Sequence, residues 1–260
     1  MNGRDMFECD VENGVARITM NRPPVNAISE AWLDGLASHL DDLERREDWS
    51  VLHVRSSQKV FSAGADLNQL RGRLDDARDG ARLLAADTRR FQVLYARIEA
   101  LPQVSIAEIG GAAMGGGFEL ALSCDLRIAA AEARIGLPEV GLGLLPGAGG
   151  TQRLTRLCGP GVASRVILSA DVLDGAEACR LGLVQWAVPA AELPERARAL
   201  AARVAGLPAA ALAACKDCIA AAREREQDGF EREIEATARM FSNTETRERV
   251  AAFLEQRRAG

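Results

Sequence analysis

Up to about residue 145 the chain alternates short apolar runs with segments whose apolar residues recur every three or four positions. Cys9-Asp10-Val11 and Val15-Ala16-Arg17-Ile18-Thr19-Met20 flank Asn13-Gly14, a two-residue turn signal that predicts a hairpin over residues 6–20. Asn21-Arg22-Pro23-Pro24 ends it. Ser29 is placed to cap a helix over about 30–47 that carries Trp32, Leu33, Leu36, Leu40 and Leu43 on one face. Val51-Leu52-His53-Val54 reads as a buried strand, and Phe61-Ser62-Ala63-Gly64-Ala65-Asp66 as a loop of small residues. An amphipathic helix is predicted over 77–101, with strands over 104–109 and 125–130. Strand, helix and strand in turn predict an α/β protein with a βαβ-type core. Gly147-Ala148-Gly149-Gly150-Thr151 opens a further helix, with residues 152–158 behind it. After Leu193 the sequence turns Ala- and Arg-rich and helical in pattern, broken at Gly206-Leu207-Pro208 and Asp228-Gly229. The tail from about 206 has little core of its own, so it is expected to pack on the main body or on a neighbouring subunit.

Composition narrows the function classes. The chain has 260 residues, 48% hydrophobic and 27% charged, enough for one large domain or one domain plus a tail. A net charge of −5 does not favour a nucleic-acid partner, and an anionic substrate would need locally placed basic residues. Arg22, Arg71 and Arg73 are candidates for that role, although surface charge explains each as well. No apolar segment follows the N-terminal residues as in a secretory signal, and no run approaches the roughly twenty apolar residues of a membrane span. The six cysteines then read as reduced thiols of a cytoplasmic protein. Cys215-x-x-Cys218 has no second pair and no nearby histidine, so two cysteines of a packed helix are expected and no metal site. His39 and His53 are the only histidines, which argues against Ser-His-Asp chemistry and histidine metal sites.

The candidate chemistry lies in Gly115-Gly116-Gly117-Phe118-Glu119-Leu120 and, further on, Pro138-Glu139. Three glycines clear the side chains from a stretch where a ligand could touch bare amides. The apolar run behind them predicts a helix start, with unpaired N–H groups and the positive end of the helix dipole. That combination suits a developing oxyanion. Glu119 would lie over the same helix end, and Glu139 supplies a second carboxylate. Two carboxylates and an oxyanion site are the parts needed to add or remove water at an activated double bond.

These segments together resemble the enoyl-CoA hydratase/isomerase, or crotonase, family. Asn21-Arg22-Pro23 with Asn26-Ala27 resembles its N-terminal motif. Phe61-Ser62-Ala63-Gly64-Ala65-Asp66-Leu67 resembles its first oxyanion loop. Residues 115–121 with Cys124-Asp125 resemble the second. Pro138-Glu139-Val140-Gly141-Leu142-Gly143 and Pro146-Gly147-Ala148-Gly149-Gly150-Thr151 follow in family order. The resemblance spans essentially the whole chain. It implies a spiral of ββα units over residues 1–195 and a C-terminal helical trimerisation region over 196–260, in a homotrimer or dimer of trimers. It implies an acyl-CoA thioester as substrate, with coenzyme A as part of it and no separate cofactor. The thioester oxygen would be held by the amides of Ala65 and Gly116. Ala63, Ala65, Asp66, Leu67, Asn68, Gly115 and Gly116 would border the acyl-CoA path. Two glutamates are the hydratase pattern, so the resemblance implies hydration of a trans-2-enoyl-CoA to a 3-hydroxyacyl-CoA. Glu119 would act as base on the water and Glu139 as proton donor to the α-carbon. The alternatives are an enoyl-CoA isomerase or another crotonase-type reaction on a branched or carboxylated acyl-CoA. A non-catalytic CoA- or macromolecule-binding oligomer is the third.

Three positions depart from the family pattern. Glu108 stands in a strand where a small residue is usual, so it either meets an unusual substrate or pairs with an arginine. Gly110 replaces a commonly seen Asn, and Trp186 is unusual. Near the C-terminus Phe241, Phe253 and Arg257 either pack as ordinary helix residues or reach a neighbour's CoA site.

Overall fold

The computed structural model describes residues 3–221, 238, 241 and 244–259. Strands β1 (Phe7–Glu12) and β2 (Gly14–Met20) form the predicted hairpin, with Glu12 paired to Val15 across Asn13 and Gly14. Both turn residues have positive φ (52° and 78°), the geometry that a right-twisted two-residue hairpin needs. The next strands are β3 (Trp49–Ser56), β4 (Val104–Ile109), β6 (Leu126–Ala130) and β9 (Trp186–Val188). They add in parallel to give one sheet in the order β1-β2-β3-β4-β6-β9. A second sheet, in the order β5-β7-β8, contains β5 (Ala113–Met114), β7 (Arg134–Gly136) and β8 (Val172–Asp174). The chain is therefore α/β, and the second sheet carries the segments on either side of the glycine run.

Helix α1 (Glu30–Glu44) starts where Ser29 accepts from the Trp32 amide, and its predicted apolar face is buried. Full burial of each such leucine contributes roughly 1.5–3 kcal/mol. The predicted helix over 77–101 begins at Gly80, as α3 (Gly80–Ala100). The reason is a turn in which Asp76 Oδ1 accepts from the amides of Arg78 and Asp79. A separate helix, α2 (Leu67–Asp75), precedes it and is capped by Asp66. Helices α4 (Gly116–Ser123), α5 (Gly150–Leu168) and α6 (Gly175–Arg180) follow. Inside α5, Gly159 (φ 80°) and Pro160 break the helix into two segments.

The Ala-rich tail forms α7 (Leu193–Ala205), α8 (Ala209–Ala221) and α9 (Thr244–Ala259). Asp228-Gly229 lies outside the described residues. Helix α7 buries Leu193, Ala197, Leu200, Ala201 and Val204 against the large sheet. Helix α9 packs Val250 and Leu254, together with Phe241, on Leu70 and Leu74 of α2. This part of the tail thus covers the protein's own body. Cys215 and Cys218 are both exposed on α8, which corrects the expectation of core cysteines. Glu108 pairs with His53 rather than with an arginine. The two buried side chains approach to 2.9 Å between β4 and β3, within ion-pair reach but outside hydrogen-bond alignment. Among the described residues no single helix is long and apolar enough to cross a membrane.

Candidate active site

The site is built where the small-residue loop meets the start of α4. Met114 donates its amide to Ser62 O (3.0 Å), which ties the loop to β5. Ile28 N donates to Gly64 O (2.8 Å) and Asp66 N to Ile28 O (2.9 Å). Because successive amides of an extended segment point to opposite sides, the Ala65 N–H faces away from Ile28 and toward the cavity. Gly64 has φ +89°, and a Cβ there would lie 2.8 Å from Met114 O and 3.4 Å from Gly116 N. Gly116 is the first residue of α4, so its amide has no intrahelical acceptor. A Cβ on Gly116 would lie 3.8 Å from Ala65 N, which puts the two amides side by side. Among the described residues neither amide donates a hydrogen bond. Two convergent unused donors at a helix N-terminus can stabilise an oxyanion.

The α4 start is held from behind by Tyr95, the chain's single tyrosine, whose hydroxyl donates to Gly116 O at 2.8 Å. Burial, and then the nearby Glu119 charge, raises this phenol well above its ordinary value, so it stays a donor. Phe91 packs edge-on to Tyr95, with ring centroids 5.8 Å apart. Its Cε1 would lie only 3.2 Å from a Cβ on Gly116.

Both glutamates reach this floor. Glu119 lies in the first turn of α4 and is 2% exposed; its Oε1 accepts from Gly150 N at 2.7 Å. That donor stands at the start of α5, where the helix dipole favours a negative group. Glu139 begins a single 3-10 turn (Glu139–Leu142) behind Pro138. A Cβ on Gly115 would lie 2.7 Å from Glu139 Oε1, and one on Gly150 would lie 2.8 Å from Glu119 Oε1. A side chain at Gly115 would crowd the Glu139 carboxylate, and one at Gly150 would crowd the Glu119 carboxylate and Pro146.

A cavity of about 580 Å³ opens over these groups. Its wall includes Ala63, Ala65, Asp66, Leu67, Gly115 and Gly116, together with Glu119 and Glu139. Asn68 is exposed and outside that wall, although its amide donates to the Asp66 cap at 2.9 Å. Asp66 also accepts from Arg22 at 2.5 Å. The candidate phosphate contacts are all ion-paired: Arg22 with Asp66, Arg71 with Asp75 (3.7 Å) and Arg73 with Asp87 (2.8 Å). Glu108 is not part of the wall. Phe253 lines this cavity from the same chain, and Phe241 packs with α2. The side chain of Arg257 lies outside the described residues. Among the described residues no group of three His, Cys, Asp or Glu could hold a metal ion.

The sequence did not single out Tyr95, Phe91 or the carboxylate-binding role of Gly150. The glycine cluster before α5 was the available signal for Gly150, because a helix start leaves its amides free. Tyr95 gave only a helix pattern, and its partner lies 21 residues away.

Comparison with known proteins agrees with this geometry. A family model described as enoyl-CoA hydratase/isomerase matches residues 10–260. The short-chain-enoyl-CoA hydratase of Clostridium acetobutylicum is 35% identical over 254 residues, covering 95% of this chain and 94% of its own. The crotonyl-CoA hydratase of Syntrophomonas wolfei is 36% identical over 258 residues, with the same coverage of each. The crystal structure of an enoyl-CoA hydratase from Bacillus halodurans superposes with a TM-score of 0.87 at 26% identity, covering 95% of this chain and 99% of that one. The structural match agrees with the crotonase fold that the motifs implied.

Proposed function

Because this chain belongs to the enoyl-CoA hydratase/isomerase family, we infer that it is an enoyl-CoA hydratase. It adds water across the trans-2 double bond of an enoyl-CoA thioester to give a 3-hydroxyacyl-CoA. The observation that carries this reading is the seating of Glu119 and Glu139 on glycines beside two unused amides in one cavity. As water attacks the β-carbon, charge builds on the thioester oxygen. The amides of Ala65 and Gly116 are assigned to that oxygen, and each such donor is worth about 3 kcal/mol in a water-excluded site. Glu119 is assigned as base on the attacking water, because the Gly150 amide and the α5 dipole support its charged form. Glu139 then delivers the proton to the α-carbon. Tyr95 acts one step back, holding the peptide that follows the Gly116 amide. Retention of Glu119 weighs against a pure isomerase.

The acyl-CoA is the substrate, and no separate cofactor is proposed. We also propose the trimer, or dimer of trimers, implied by the family resemblance. The exposed Leu168 and Ile219 supply apolar surface for such contacts. A reducing, cytoplasmic setting fits the six free cysteines, and the net charge of −5 fits a chain without a nucleic-acid partner.

Glu119→Gln and Glu139→Gln are each expected to lower kcat with crotonyl-CoA by about 10²–10⁴-fold. Binding of 3-hydroxybutyryl-CoA, measured by calorimetry, should persist in both. Near-normal turnover in both variants would remove the two-glutamate assignment.

A further inference from the structure

One side of the cavity carries charge that the hydration chemistry does not use. Helices α2 and α3 give it Leu70, Leu84 and Phe91, and between these apolar groups stand Gln69, Arg73 and Asp87. Asp87 is buried at 8% exposure. Arg73 donates through Nε to Asp87 Oδ2 (2.8 Å) and through Nη2 to Asp87 Oδ1 (3.2 Å), and also to Glu30. Gln69 Nε2 donates to Asp87 Oδ2 (3.0 Å) and to Glu30 Oε1 (3.3 Å). Its Oε1 is used as well, accepting from the Glu30 amide at 3.0 Å. One guanidinium therefore serves two carboxylates. The next cation, Arg90, is 3.6 Å from Glu30 but 2.5 Å from Asp34, so most of its charge is committed elsewhere.

The network is close to the reacting end of the site. On α3, Asp87 is one turn before Phe91, whose ring abuts Gly116. One helical turn is about 5.4 Å. On α2, Gln69 lies three residues and Arg73 seven residues after the cap Asp66, which follows Ala65.

We propose that Gln69, Arg73 and Asp87 make the acyl arm of this cavity selective for enoyl-CoA substrates whose acyl chain ends in a neutral group, and against those ending in a carboxylate. The inference rests on the hydratase reading above. Arg134, the other cation of the cavity wall, stands on β7 rather than on α2 or α3. At the α2–α3 wall an incoming carboxylate would find the Arg73 donors occupied by Asp87 and Glu30, and would meet Asp87 itself as a like charge in partly desolvated surroundings, where repulsion is strong. At this wall it would have to displace Asp87 or stay unpaired, and a buried unpaired charge is costly. A methyl-ended chain meets no such penalty against Leu70, Leu84 and Phe91. The role is discrimination, so Asp87 and Arg73 are specificity-determining rather than catalytic groups.

The test compares trans-2-hexenoyl-CoA with 2,3-dehydroadipyl-CoA, which share a chain and differ in a terminal carboxylate. The ratio of their kcat/KM values is measured for the wild type and for Asp87→Asn, an isosteric change that removes the charge and keeps an acceptor for Arg73. The wild type should prefer the neutral substrate at least about tenfold, and Asp87→Asn should narrow that preference by at least about tenfold. A second variant, Gln69→Glu, adds charge to the same wall and should widen it. Equal use of both substrates by the wild type would overturn the proposal. So would a ratio that neither substitution moves, including the case in which both variants change KM for the two thioesters alike, as a CoA-arm role would. If the wild type hydrates neither of these nor crotonyl-CoA, the hydratase reading itself has failed. Hydration of hexenoyl-CoA with an unmoved ratio removes only the specificity assignment.

Discussion

A methyl group on Gly115 would lie 2.7 Å from Glu139 Oε1, at a residue whose φ is already +50°. Single residues of this kind connect backbone shape to chemistry, because a side chain here would crowd the carboxylate that stands beside the amides proposed for the oxyanion. Gly115→Ala is therefore expected to strain the backbone at this positive φ and to displace the Glu139 carboxylate beside it. A misplacement approaching 1 Å can cost about 10²-fold in rate. Steady-state kinetics with crotonyl-CoA should show a loss in kcat larger than the change in KM. Wild-type kcat in Gly115→Ala would mean that Glu139 has room the structure does not give it. Tyr95 belongs to the same scale. Its buried hydroxyl holds Gly116 O at 2.8 Å and touches no reacting atom, so it is a positioning residue.

Among the elements, the junction of α2 with α3 governs the cavity wall. A Cβ on Gly80 would meet Arg73 O at 1.9 Å, a backbone atom that cannot swing aside. Gly80→Ala should push the end of α2 off the start of α3 and destabilise the protein by about 1–3 kcal/mol, as overpacking does. Ser29→Ala removes only the Trp32 amide acceptor at the start of α1 and should cost about 1 kcal/mol. Urea denaturation of the two variants checks that order, and equal stability of Gly80→Ala and wild type would contradict it. The elements differ in how much of them could be read beforehand. The hairpin, α1 and β4 follow from local signals: a two-residue turn, a cap with an apolar stripe, a buried apolar run. The split of the helix over 77–101 depends on an Asp76 turn whose geometry is one of several open to that sequence. The positions of Ala65, Gly116, Glu119 and Glu139 in one cavity follow the order of the motifs. The Gln69–Arg73–Asp87 network was not legible, because its members and their partner Glu30 come from three helices and pair only after those helices pack. The His53–Glu108 pair escaped for the same reason, since only the β3–β4 register brings the two together.

For the whole molecule, two sheets and a helical tail converge on one reaction volume. The large sheet packs against α1, which in turn packs on α3; the small sheet presents Gly115 and the segment leading to Glu139, and α9 covers α2 and brings Phe253 to the cavity. On the reading proposed above, this assembly adds water with two glutamates in distinct roles. The most direct measurement is the product formed from crotonyl-CoA in D₂O, read by mass spectrometry and NMR. The expected product is 3-hydroxybutyryl-CoA with a single deuterium at the α-carbon, and both the hydroxyl product and the label should be lost in Glu139→Gln. Double-bond migration or α-exchange without a hydroxyl product, or undiminished hydration by Glu139→Gln, would contradict it.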